Sequence, residues 1–295
     1  LEVKLQFSRV DLKFIFASSS YEQCSNRILW MRILFCAFMT MITTCNSFFL
    51  CSRPFLWVSF TVVLICSPSQ AQIPSSSRQL IVSQAATWNS NTATLQCYQR
   101  ASASAPWQPV FAESVPVLLG RAGLAWGRGV FNPPQNGVPA KAEKDWRAPA
   151  GVFQLGMLFG NAAKAPSGAR WPYLQVGPWD AYVDDSSNPY YNQHVRVNPS
   201  HVPSWFEKQK MRLGDDAYKW MLEIRHNQKP ALPGYGSAIF FHVRRGPTKP
   251  SAGCTTLSVE NLERMLRWLD PKAYPHYVLL PQADYEYLKT AWFLP

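Results

Sequence analysis

The sequence predicts a mainly β fold, a β-rich sheet or sandwich with a few peripheral α-helices. Three observations carry that expectation. Apolar residues fall in short runs bounded by turn residues, not in long stretches of 3.6-residue period. The connections between the runs are dense in Gly, Pro, Asn and Trp, and only two segments carry a helical pattern. With 295 residues, 47% hydrophobic and 14% aromatic, the chain can bury a full core and lies far from the composition of disorder.

The elements follow in order. Residues 79–83, 93–98 and 115–119 read as strands, each short and flanked by turn residues. Within the second, Cys97 alternates like a small buried hydrophobe. From Gly120 to Pro203, turn signals at Asn132-Pro-Pro, Asn136-Gly, Pro149, Pro166-Ser-Gly and Asn188-Pro predict long ordered loops, the segments that commonly carry function. Residues 220–225 and 237–243 read as further strands. A helix follows over 259–269, with Ser258 as N-cap, Glu260 in its first turn and Val259, Leu262, Leu266 and Leu269 along one face. A second, shorter helix is expected over 283–292, and no internal repeat is visible.

The first 71 residues differ in kind. Apolar residues dominate from 28 to 50 and again from 55 to 66, interrupted by Arg53 and Pro54. The second stretch has the length of a signal-peptide core, and Ser69 and Ala71 are small residues where a signal peptidase inspects them. Cleavage after Ala71 is expected, with a retained membrane anchor as the alternative, because the first stretch is about long enough to span a bilayer. The chain starts with Leu, so an over-extended reading frame with a true start at Met31, Met39 or Met41 is expected. The division is therefore 1–71 as over-extended start plus signal or anchor, 72–78 as a short flexible linker, and 79–295 as one globular domain.

Cysteine usage agrees with export: Cys24, Cys36, Cys45, Cys51 and Cys66 lie in the first segment, which leaves Cys97 and Cys254 beyond it. Two cysteines make no disulfide framework. The net charge is +11, and 23 basic against 15 acidic residues remain beyond Ala71, which suits an acidic polymer. The twelve Trp are spread along the chain instead of interleaving with Lys and Arg, so nucleic acid is excluded as partner. Contact with membrane is expected only through an uncleaved N-terminal segment, and a monomer is the expected state.

Chemistry concentrates in residues 236–257, where a strand ends in His242, a Gly/Pro loop turns back and Ser251-Ala-Gly-Cys254 precedes a helix. The strand fixes His242. Gly253 lets the backbone approach a substrate carbonyl, so that the amides of Cys254 and Gly253 become candidate oxyanion donors. An imidazole near a thiol draws it towards the nucleophilic thiolate. By themselves, one His and one Cys twelve residues apart fit a structural role more readily.

The segment resembles the catalytic motif of the L,D-transpeptidase (YkuD-type) family, in which a histidine precedes a Ser/Thr-x-Gly-Cys run. Residues 144–156, Lys-Asp-Trp-Arg-Ala-Pro-Ala-Gly-Val-Phe-Gln-Leu-Gly, are similar to that family's Pro-x-Gly-x-Phe-x-Leu stretch. Residues 182–192, with Val183-Asp184-Asp185 and Tyr191-Asn192, resemble one branch, and residues 211–227 resemble the stretch before the histidine strand. The departures are Val243, Ala252 and Thr256, where many members carry Gly, His or Asn, and Arg.

The resemblance implies acyl transfer on peptidoglycan stem peptides with Cys254 as nucleophile and His242 as base, forming 3→3 cross-links without metal or other cofactor. With water as acceptor the same site is an L,D-carboxypeptidase, and the rival of another class is a non-catalytic envelope-binding module. Ser251, Arg244, Asp184, Asp185, Tyr191 and Asn192 are candidate substrate contacts. Asp184 and Asp185 read equally as turn formers. Arg244 and Arg245 are candidates for a stem carboxylate and for lowering the thiol pKa, or are simply solvated. His226 is a candidate second acid/base or a turn histidine, and His194, His201 and His276 form no zinc motif. Trp126, Trp146, Trp171, Trp179 and Trp205 line a groove or pack in the core.

Overall fold

Thirteen strands and three helices organise the described residues, which in this computed structural model are 72–295 without 133, 135 and 136. The start, signal or anchor expected over 1–71 lies outside them. The described residues cluster as one compact unit.

The strands are β1 (Gln79–Ala85), β2 (Thr92–Gln99), β3 (Gln108–Pro109), β4 (Val115–Leu118), β5 (Leu124–Trp126), β6 (Ala148–Gly160), β7 (Tyr173–Gln175), β8 (Asp180–Tyr182), β9 (His194–Arg196), β10 (Met221–Ile224), β11 (Phe240–Val243), β12 (Thr255–Leu257) and β13 (His276–Pro281). The main sheet runs β1-β13-β6-β10-β11-β12-β4-β2, with β3 beyond β2. Because β2 also pairs antiparallel with β1 from Gln79↔Gln99 to Ala85↔Ala93, the expected β-rich sheet closes on itself as a barrel. Side chains meet across its interior: Phe241 lies 4.5 Å from Tyr277 between ring centroids, and Thr255 Oγ1 is 3.0 Å from the Tyr277 hydroxyl. These are residues of strands that are not neighbours in the sheet.

The helices sit as expected, α2 at Val259–Trp268 and α3 at Gln282–Trp292. Ser258 Oγ accepts from the Asn261 amide, and Leu262, Met265 and Leu266 turn inward on α2. On α3, Tyr285, Leu288 and Trp292 are buried at i, i+3 and i+7.

Three expectations are corrected. The region read as loops contains β6, the longest strand, at thirteen residues. It pairs with β13, β10, β5 and β7, so burial from both sides supports a run in which Pro149 read as a turn. Secondly, residues 72–78 are no flexible linker: the Ile73 amide bonds the Trp292 carbonyl, and Arg100 donates to the carbonyls of Pro74 and Ser77. Finally, the strand expected over 237–243 begins only at Phe240, because Gly236 (φ 89°) and Ala238 (φ 54°) leave the extended region.

Residues 176–218 form a cover on one side of the barrel. The β8–β9 hairpin and the single-turn helix α1 (Phe206–Gln209) share a small core of Ala181, Val197 and Phe206. Inside it, Asp180 is held by both arms of the Arg196 guanidinium at 2.8 and 2.9 Å and lies 2.8 Å from His194 Nε2.

Candidate active site

Strand alternation decides which side chains reach this cover. On β10, β11 and β12, Leu222, Phe241 and Leu257 belong to the main core, so their neighbours Met221, Glu223, Phe240, His242 and Thr256 face outward. The outward Met221 and Phe240 pack with Phe159 of β6 against Val176, Tyr182, Met211 and Tyr218 of the cover. Cys254 packs against the same cluster. Strands β11 and β12 run parallel with His242 opposite Thr256, so continuing the register by two residues sets Cys254 opposite Phe240. His242 and Cys254 therefore share one face of adjacent strands, one diagonal step apart.

Cys254 is half-buried and opens into a pocket of about 230 Å³ walled by Tyr182, Met211, Tyr218, Met221 and Phe240. Its thiol donates to the Ala238 carbonyl at 3.6 Å. Among the described residues no hydrogen bond joins the thiol to His242. Burial pushes the thiol pKa up to about 11, against smaller opposing effects from the Phe240 backbone and the Lys141 charge. His242 is 6% exposed, and Nδ1 lies 2.9 Å from the Val243 carbonyl, a contact that makes Nδ1 the donor and leaves the Nε2 lone pair as the basic site. Burial lowers its pKa to about 4, and the nearby Arg245 charge lowers it further, while the Val243 and Ala217 carbonyls and Asp215 oppose the shift. Both groups rest neutral at pH 7. The expected drift of the thiol towards thiolate is thus opposed by burial on both sides of the pair.

The loop before the thiol has a fixed shape. Ser251 Oγ accepts from the Gly253 amide at 3.0 Å and donates to the Cys254 carbonyl at 2.6 Å. This corrects two expectations: Ser251 shapes the turn instead of facing substrate, and the Gly253 amide is already bonded, which leaves the Cys254 amide as the oxyanion candidate. Gly253 has φ 151°, and a Cβ there would meet the Arg147 carbonyl at 3.0 Å, so the tight approach needs glycine.

Opposite the thiol stands a bracket of buried polar side chains. Asn192, expected to touch substrate, instead accepts from the Ala238 amide and donates to the His226 and Asn227 carbonyls, which positions the peptide that holds the thiol. Asn227 donates to the Leu232 and Gly236 carbonyls. Tyr191, also expected at the substrate, bonds Glu143, which takes the Ser237 hydroxyl at 2.8 Å as well. His226 accepts the Arg128 amide at Nδ1 and donates from Nε2 to the Tyr235 carbonyl, so it is a neutral brace with pKa lowered to about 3 by burial and not a second acid/base. Asn192, Asn227 and Ala238 all have φ between 54° and 59°, a concentration of strained backbone around the thiol. None of Asn227, Glu143 or Ala238 stood out in the sequence, although Asn227 ends a stretch that resembles the family.

The two aspartates part. Asp184 lines the Cys254 pocket, whereas Asp185 accepts from the Ser187 amide and hydroxyl and does not line it, the turn reading. Beside Asp184 the pocket carries Lys208, Lys210 and Arg212, a rim that favours a carboxylate over an ammonium. Arg244 lines an adjoining cavity of about 830 Å³ with Asp215, Arg245 and the shared residues 210–212. Arg245 is paired with Asp215 at 2.6 Å and lies 5.0 Å over Tyr218, whose ring meets His242 edge-on at 5.3 Å. Thr256, where many family members carry Arg, is buried beside His242. Trp126 and Trp171 are buried, and none of the five candidate tryptophans lines the thiol pocket. Among the described residues no cluster of His, Cys, Asp and Glu could hold a metal ion, and no helix is long and apolar enough to cross a membrane.

A β-barrel presenting a cysteine in a pocket and a buried histidine on the same outer face has the layout of a thiol-dependent acyl-transfer domain. The model of the L,D-transpeptidase catalytic domain, YkuD, matches residues 108–278, and the chain belongs to that family of enzymes. No curated protein and no solved structure matches it.

Proposed function

We propose that the protein is an exported L,D-transpeptidase acting on peptidoglycan stem peptides, with Cys254 as nucleophile and His242 as base. The observation that carries this reading is the placement of the two side chains on one face of adjacent parallel strands, with Cys254 opening into a pocket. The thiol leaves the Ala238 carbonyl and gives its proton to His242 as Sγ attacks the carbonyl on the L-centre side of a dibasic residue. The Cys254 amide receives the oxyanion. The D-alanine amine departs with the proton from His242, leaving a thioester. The amine of a second stem then attacks, its proton passes through His242 to the sulfur, and a 3→3 cross-link and free thiol result.

With the thiol near 11 and the imidazole near 4, proton transfer accompanies attack, since neither group is charged beforehand. The adjoining cavity lined by Arg244 favours transfer over hydrolysis, because it gives an acceptor stem a place beside the thiol pocket. Export rests on the apolar run 55–66 and the small residues Ser69 and Ala71, as a cleaved signal or a retained anchor.

Incubation with a carbapenem is expected to add one drug mass to the wild type and none to Cys254→Ala; labelling that survives the substitution sinks the nucleophile. Absence of labelling in the wild type would favour the non-catalytic envelope module. Mass analysis of tetrapeptide muropeptides should show cross-linked dimers when an acceptor amine is present, and tripeptides alone would mean carboxypeptidase activity.

A further inference from the structure

A third cavity, of about 490 Å³, shares no residue with the thiol pocket. Its walls bring together Arg128, Arg225 and Lys229 with Tyr235, Trp126 and Gln154, and among the described residues no Asp or Glu lines it. Three cations around one hollow repel each other unless an anion joins them. Arg128 is poised for one: its guanidinium stands 5.2 Å over the Tyr235 ring, which orients the planar fork, and among the described residues its buried Nε has no hydrogen-bond partner. One carboxylate comes near Arg225, at 3.9 Å from Nε, but that Glu223 already accepts from Tyr182, Gln228 and the Met157 amide.

We propose that this cavity is a carboxylate-binding site for a peptide with free acidic groups, separate from the thiol pocket. A guanidinium fork receives a carboxylate through two parallel N–H donors, and Arg225 and Lys229 supply further charge at the same hollow. The amide of Gln154 adds a neutral polar group. The identification of the ligand as a stem peptide, rich in carboxylates, rests on the proposed function; the anion site itself rests on the cavity. Its floor is also part of the thiol's support. The Asn227 amide donates to the Arg128 carbonyl, Asn227 braces Gly236, and Ala238 two residues on accepts the thiol proton. One loop thus borders both sites.

The test is calorimetric titration of the full protein with a synthetic stem tripeptide bearing free carboxylates and with its fully amidated counterpart, while carbapenem acylation of Cys254 is followed in parallel. The free acid is expected to bind at least tenfold more tightly than the amide. Arg128→Gln and Arg225→Gln should each weaken it at least fivefold, with acylation at the wild-type rate as proof of folding, and Cys254→Ala should bind it unchanged. Binding that ignores Arg128→Gln and Arg225→Gln, or that falls only with Lys208→Gln in the thiol pocket, overturns the second site and leaves the catalytic reading standing. Loss of acylation in the wild type with carboxylate binding intact refutes the catalytic reading and leaves the anion site.

Discussion

The two sides of the thiol are built on opposite principles. On one side stands the barrel wall, where β10, β11 and β12 fix His242 and the approach to Cys254 by regular pairing and by apolar side chains such as Leu222, Phe241 and Leu257, all fully buried. On the other stands the bracket of Asn192, Asn227, His226 and Glu143, where irregular backbone with positive φ is held by side-chain hydrogen bonds. The wall is redundant, because many weak contacts share the load and removal of one side chain leaves the others in register. The bracket is specific, because each amide or carboxyl holds particular backbone groups that have no substitute once buried.

That contrast can be broken by substitution, beginning with the wall. Phe241→Ala removes the ring that meets Tyr277 across the barrel and should cost about 3–5 kcal/mol in denaturant unfolding. The surviving folded fraction should still be acylated at the normal rate. Asn192→Ala strands the Ala238 amide and two carbonyls, and should cost about 1–3 kcal/mol. Here the folded fraction should acylate more slowly as well, since Ala238 no longer presents its carbonyl to the thiol; an unchanged rate would mean that the bracket supports the fold alone.

Acid offers a measurement that probes both sides at once. His226 in the bracket and His242 on the wall have folded pKa values of about 3 and about 4, below the ordinary value of 6.5. The unfolded chain therefore takes up protons first as pH falls. Their contribution to stability is full above pH 6.5 and is lost as pH drops towards 4, by up to about 1.4 kcal/mol per pH unit for each ring. Thermal unfolding between pH 7 and 4 should show this slope, and His226→Gln should remove its own share. Acylation of the wild type, by contrast, should stay level from neutral pH down to about pH 5, since His242 remains a base there. The smallest effect is expected outside both regions, where Arg267→Ala breaks an exposed pair with Glu263 and should change stability by about 0.5 kcal/mol or less.

How much the sequence revealed follows the same division. The wall was legible: alternation marked β2, short runs of strand residues marked β10 and β11, and the cap at Ser258 and the spacing of Leu262, Leu266 and Leu269 marked α2. His242 and Cys254 were legible from their family-like surroundings and fall on one face. β6 and β13 were harder, because strands buried on both faces lose alternation, and Pro149 looked like a turn. The bracket was not legible at all. Asn192 bonds residues 34 to 46 positions away, and a polar residue in a loop looks the same in sequence whether it braces a distant peptide or waits for a ligand. Ser251, Tyr191, Asn192 and Asp185 were read as substrate contacts for that reason.

The neutral resting thiol bears on the chemical durability of the protein. Oxidants attack sulfur as thiolate, and burial, which pushes the Cys254 pKa up to about 11, keeps the thiolate scarce at pH 7. Cys97, the other thiol among the described residues, is fully buried in the barrel and shifted upward as well. Burial therefore works as a chemical safety catch: it keeps the sulfur slow towards peroxide and stray disulfides, and under the proposed mechanism a bound substrate would release it by bringing its carbonyl within reach while His242 accepts the proton.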